Sequence, residues 1–203
     1  SWQYDVTRER EQQQQAGSTV AAGGNATLVS TREDVNLLGA NVSADRALSV
    51  KAARDVHLAG LVEKDKSTER GYQRNHTSSL RTGSWSSSDE SESLKASELR
   101  SQGELTLKAG RNVTTQGAKV HAQRDLTIDA DNQIQVGVQK TANAKAVRDD
   151  KTSWGGIGGG DNKNNSNRRE ISHASELTSD GTLRLNGQQG VTITGSKARG
   201  KEG

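Results

Sequence analysis

Leu99 to Val120, LRSQGELTLKAGRNVTTQGAKV, is a template that the chain uses five times. Its inward-looking positions are Leu99, Leu105, Leu107, Ala109, Val113 and Thr115, and Gly117 closes it. The frame returns as Val42, Leu48, Val50, Ala52, Val56, Leu58 and Gly60, then as Val120, Leu126, Ile128, Ala130, Ile134 and Val136. It returns again as Leu177, Leu183, Leu185, Gly187, Val191, Ile193 and Gly195. A looser copy uses Val20, Ala26, Leu28, Val35, Leu37 and Gly39, with one extra residue between Leu28 and Val35. Self-similarity at this length indicates a solenoid.

The spacing says which solenoid. Leu105-Thr106-Leu107 and Val113-Thr114-Thr115 have period two, so each is a short strand with one buried face. Three such strands fit into the 21 residues from Leu99 to Val120, with Gly, Asn and Asp at the corners. One copy alone cannot bury its apolar edge. Stacked parallel coils pair each strand with its equivalents above and below and share one core. No apolar stripe at i, i+3, i+4 supports a helical repeat. The reading is therefore all-β: a parallel β-helix of ~21-residue coils carrying two long polar insertions.

Composition agrees once it is mapped onto the chain. Leu, Ile and Val make up 34 of 203 residues and Phe is absent, a proportion that averaged over a chain suggests disorder. Yet only Leu80, Leu94, Val147, Ile157 and Ile171 of that set fall between 63 and 98 or between 139 and 176. The coils hold nearly all the rest. A one-dimensional core needs few apolar residues per turn. No cysteine is present, which excludes disulfides and Cys-based sites. The 28 basic and 25 acidic side chains are interspersed, so the net charge of +3 describes a solvated surface and not a nucleic-acid footprint. No apolar run approaches the ~20 residues of a spanning helix.

The chain divides accordingly. Residues 1–17 are expected to end a preceding insertion, 18–62 to form two coils, 63–98 an insertion, 99–138 two coils, 139–176 an insertion, and 177–198 the fifth coil. The start at Ser1 reads as a cut through a larger chain, and both cut ends are expected to favour end-to-end self-association. All five aromatic residues (Trp2, Tyr4, Tyr72, Trp85, Trp154) lie outside the coils. Ser-Trp pairs at 1–2, 84–85 and 153–154 suggest related insertions, each an out-and-back excursion; the run from Gly155 to Gly160 marks a tip. Low hydrophobicity favours disorder of an isolated arm. Neighbouring arms, one every 78 residues, could instead pair with each other, and the sequence leaves both open.

The stretch SQGELTLKAGRNVTTQGAKVHAQRDLTIDA, with the SDGTLRL and GGNATL starts, resembles the haemagglutinin repeats of filamentous haemagglutinin. It equally resembles contact-dependent growth inhibition effectors. The resemblance covers the coils from Ser18 to Ala198. It implies a right-handed β-helix in a secreted, fibrous surface protein of a Gram-negative bacterium. It also implies export through an outer-membrane two-partner secretion transporter. The implied roles are cell–cell contact with toxin delivery to a target bacterium, or adhesion to a host receptor or carbohydrate. Such repeats define no catalytic or binding residues.

Little chemistry competes with that reading. His57, His76, His121 and His173 share no ligand spacing, so neither metal nor cofactor is expected. Asp55, Asn112 and Gln133 share one coil corner, and Asp45, Gln102, Gln123 and Asp180 another. These are mixed polar columns and not the paired carboxylates of a glycosidase, so no enzyme is expected. Asn-x-Ser/Thr triplets at Asn25, Asn41, Asn75, Asn112 and Asn164 arise easily in a chain this rich in Asn, Ser and Thr, and Asn25, Asn41 and Asn112 also sit where the coil turns. Trp85, Trp154 and Tyr72 are the candidate contacts, amphipathic rings suited to a target-cell outer membrane or a sugar.

Overall fold

The computed structural model describes residues 2–75, 81–153 and 158–202. In chain order its strands begin with β1 (Trp2–Gln13), β2 (Thr19–Ala22), β3 (Ala26–Ser30), β4 (Val35–Leu38) and β5 (Asn41–Ala44). Next come β6 (Leu48–Ala52), β7 (Val56–Ala59), β8 (Leu61–Asn75), β9 (Arg81–Lys95) and β10 (Ser97–Ser101). They continue as β11 (Leu105–Ala109), β12 (Val113–Gln116), β13 (Ala118–Ala122), β14 (Leu126–Ala130) and β15 (Gln133–Gly137). The last are β16 (Gln139–Ser153), β17 (Gly158–His173), β18 (Glu176–Gly187), β19 (Gly190–Ile193) and β20 (Lys197–Glu202). The chain forms two compact units, one of coils and one of long strands.

The coil unit is a parallel β-helix with three strand faces. One face stacks β2, β5, β10, β13, β18 and β20; the second stacks β3, β6, β11, β14 and β18; the third stacks β4, β7, β12, β15 and β19. Every coil-to-coil pairing is parallel, and residues at equivalent template positions lie side by side. Val20, Val42, Leu99, Val120 and Leu177 form one column. Leu28, Val50, Leu107, Ile128 and Leu185 form another, and Val35, Val56, Val113, Ile134 and Val191 a third. β20 begins a sixth rung on the first face, with Ala198 beside Leu177.

Burial follows the columns. Leu48, Val50, Val56, Leu58, Leu105, Leu107, Val113, Leu126, Ile128 and Ile134 are at most 1% exposed. Each fully buried Leu or Ile contributes roughly 1.5–3 kcal/mol of apolar transfer. The last coil corrects the sequence expectation. Leu183 and Leu185 are only partly covered, while Val191 and Ile193 are 40% and 43% exposed. Their template positions are inward, but β19 is the outermost strand of the third face and has β15 on one side alone.

The corners are built from small polar side chains. Ser97 Oγ donates to the Ala59 carbonyl (2.6 Å) and accepts the Ala40 N–H (3.2 Å). Ser175, one 78-residue unit later, donates to the Gly137 carbonyl (2.7 Å) and accepts the Ala118 N–H (3.3 Å). Ser101 and Ser179 repeat the arrangement at the next corner, donating to the Arg46 and Arg124 carbonyls. Their column neighbours in the intervening coils are Ala44 and Ala122. The outer surface alternates too. Glu98, Lys119, Glu176 and Lys197 run down one column, with Lys119 3.8 Å from Glu98 and Lys197 3.9 Å from Glu176.

Candidate functional site

The insertion segments form the second unit, a five-stranded sheet in the order β1-β8-β9-β16-β17. β8 and β9 are consecutive neighbours, as are β16 and β17. The described residues of each insertion thus form a β arm, and the arms pair with one another. β1 runs antiparallel to β8 with Gln12 opposite Asp65; β9 runs antiparallel to β16 with Ser91 opposite Asn143. These pairs are equivalent by the displacement that carries Val20 onto Leu99 and Leu99 onto Leu177. The register between arms therefore repeats.

Polar contacts join the arms. Arg10 grips Asp65 through Nε (3.2 Å) and Nη2 (2.6 Å), and Gln12 Nε2 adds a third donor (3.2 Å). Arg8 meets Glu69 at 3.2 Å. At the second junction Lys145 lies 3.6 Å from Asp89. Glu92 is the most enclosed of these carboxylates, its side chain 16% exposed. Lys64 stands 3.0 Å from its Oε1, the Ala142 N–H donates to its Oε2 (2.8 Å), and its own N–H donates to Asn143 Oδ1 (3.2 Å). The Lys64 bond and the Ala142 N–H hold its carboxyl below the ordinary value.

Of the candidate aromatic contacts, Trp85 lies within β9, half-buried. Its ring covers Gly71 on β8, where a Cβ would come within 2.2 Å of the indole. Gly71 is opposite Val6, and Trp85 opposite Asp149, so one row crosses four strands. Arg70, Ser84, Ser86, Arg148 and Asp150 surround this pair in a shallow hollow, with Arg148 Nε 2.8 Å from Asp150. Tyr72, opposite Asp5, is 43% exposed. Trp154 and His76 lie outside the described residues. The Ser-Trp pairs do not mark equivalent sites: Trp85 sits inside β9, whereas Ser153 ends β16.

In the coil unit, the columns weighed for catalysis are corner ladders. Asp34 Oδ1 accepts the Asp55 N–H (3.1 Å), and Asp55 Oδ1 accepts the Asn112 N–H (3.0 Å) and Asn112 Nδ2 (3.1 Å). Burial raises the Asp55 pKa, but bonds from Arg111 and Asn112 outweigh it and leave the carboxyl below its usual range. Gln102 Nε2 donates to Asp45 (3.2 Å). Asn25 Oδ1 accepts the Ala47 N–H (3.1 Å), a turn role. His121 Nδ1 lies 2.9 Å from Thr178 Oγ1 on the outer surface. Among the described residues no three His, Asp or Glu side chains are placed to hold a metal, and no helix is long and apolar enough to cross a membrane.

The family described as "Hemagglutinin repeat" matches residues 3–85 and 78–203. The chain belongs to the haemagglutinin-repeat family. It is 93% identical over 203 residues to a protein named hemolysin in Serratia marcescens, and 50% identical over 203 residues to one named hemolysin in Proteus mirabilis. Both matches cover the whole of this chain and 13% of the relative. No solved structure matches it. This haemagglutinin-repeat segment is part of a secreted, cell-surface exoprotein of the Gram-negative two-partner type.

Proposed function

We propose that the segment is a non-enzymatic scaffold in a much longer membrane-damaging exoprotein. The observation that carries this is the set of columns running through all five coils, in which each inner coil is held by the one before and the one after. Such a stack does mechanical work: it spaces and supports other parts of the protein. The relatives' shared name favours membrane damage as the activity of the whole. Within this reading the segment builds a rod that brings the toxic portion into contact with a target cell, including a target bacterium. Its export partner is the outer-membrane two-partner transporter, and folding of coils outside the cell assists export. The alternative is an adhesin stalk that binds a receptor or carbohydrate through its arms, favoured by the half-buried Trp85 and the exposed Tyr72.

The test is made in the secreted parent protein. Removing Leu99 to Glu176 joins Glu98 to Leu177, which restores the Glu-Leu step and the column. Export and lysis should survive this deletion, whereas aspartate at Leu105, Leu107 and Val113 should abolish export. Normal export of the deletion with complete loss of lysis would place the activity in the segment and sink the scaffold reading. Loss of binding to target cells by Trp85→Ser with Tyr72→Ser, at normal export, would instead support the adhesin.

A further inference from the structure

The geometry points to the outer edge of β17 as an addition site for one kind of strand, the first strand of a further arm. Three strands of the arm sheet are of one type, the returning strand of an excursion: β1, β9 and β17. The first two each present an edge to the outgoing strand of the next arm, β8 and β16, in one register. β17 is the third of the type and ends the sheet. Among the described residues, no strand lies beside the backbone from Asp161 to Arg169 on its outer side, where a row of main-chain donors and acceptors faces away from β16.

The charges along that edge, Asp161, Lys163, Arg168, Arg169 and Glu170, are of both signs and select the strand that can pair there. β17 contains no proline, and residues 161–170 are all exposed. Proteins protect an edge with proline, bulges, very short strands or charges; β17 runs for 16 residues and has charges alone. Transposing the register of β1 and β8 puts Arg169 in the place of Gln12 and Glu170 in that of Gln13. An incoming strand with the Leu61–Asn75 sequence then sets Asp65 opposite Arg169 and Lys64 opposite Glu170, both of opposite charge. Its Lys66 meets Arg168, the single like-charged pair in the match. Asp65 is already the residue that Arg10 and Gln12 grip at the first junction. The chain spans 13% of its relatives' length, so further outgoing strands are the natural occupants.

A synthetic peptide of residues 61–75 added to the purified 203-residue chain tests this, with amide hydrogen exchange read by segment. The peptide should slow exchange across 158–173 by ten-fold or more, and a scrambled peptide should not. Arg169→Asp should weaken that protection, and a peptide carrying Asp65→Arg should restore it to the variant. Unchanged exchange in β11 and β12 reports that the variant is folded. Absence of protection at peptide excess, protection equal with the scrambled peptide, or no rescue by the charge exchange would each overturn the proposal.

Discussion

Gly39 and Gly117 hold the same left-handed backbone, at φ 55° and 59°, one 78-residue unit apart. Gly195, a further unit on, repeats it at 56°. All three stand where a coil passes directly into the next. At the same corner of the other coils the chain runs out into an arm, and the residues there are Val138 and Gly60, a glycine without that conformation. One corner thus has two settings, and a glycine with positive φ marks the closed one.

Gly117→Ala should destabilise the chain by about 2 kcal/mol or more. The left-handed backbone alone costs an L-residue roughly 1–2 kcal/mol, and the new Cβ would lie 2.7 Å from Gln139 Cβ and 2.9 Å from Leu94 Cδ2. Gly24→Ala, with open space around it, should change stability by less than ~0.5 kcal/mol. Urea midpoints of the two variants check the pair.

Leu107→Ala should cost about 2–5 kcal/mol, because Val50 and Ile128 fix both sides of the cavity. Ile193→Ala, on the exposed last coil, should cost under ~1 kcal/mol. Equal costs at the two sites would contradict the burial gradient.

Thr115→Val should raise stability by about 1 kcal/mol. Thr115 Oγ1 is buried with no hydrogen-bond partner, in a column between Leu58 and Val136. A loss of stability would mean that the hydroxyl is satisfied in solution.

Ser97→Ala should lose about 1–3 kcal/mol, since it leaves the buried Ala40 N–H without its acceptor and the Ala59 carbonyl without its donor. Removing the equivalent hydroxyl, Ser175→Ala, should cost a similar amount. Thermal melts of both variants decide it.

The junction between arms should loosen in acid. Glu92 has its folded pKa held below the ordinary 4.5, so its stabilising effect is present above that value and is lost as pH falls through the lower, folded one. Protection factors of β9 and β16, corrected for the intrinsic pH dependence of amide exchange, should therefore fall below about pH 4.5, and Glu92→Gln should flatten that dependence. An unchanged profile in the variant would assign the transition to another carboxylate.

The coil columns were legible because a stacked solenoid writes its contacts into a fixed spacing: Leu107 finds Val50 and Ile128 wherever the template places them. The pattern records position and not neighbours, which is why Val191 and Ile193 read as core and are exposed. The arms were harder. Trp2, Tyr4, Val6, Arg8 and Arg10 alternate along β1, but their partners lie 55 or more residues away on β8, and polar pairs such as Arg10 with Asp65 leave no hydrophobic period to read. The corner serines leave no signal in the pattern, because Ser97 and Ser175 differ from Ala40 and Ala118 by one hydroxyl whose bonds run between coils.

The absence of aromatic residues from the coils has an optical result. Every intrinsic fluorophore of the chain belongs to the segments outside the β-helix. Emission from Trp85, within β9, should therefore track the arm sheet, while far-ultraviolet dichroism sums both units. Denaturation followed by the two signals together separates the melting of arms from the melting of coils in one unlabelled sample.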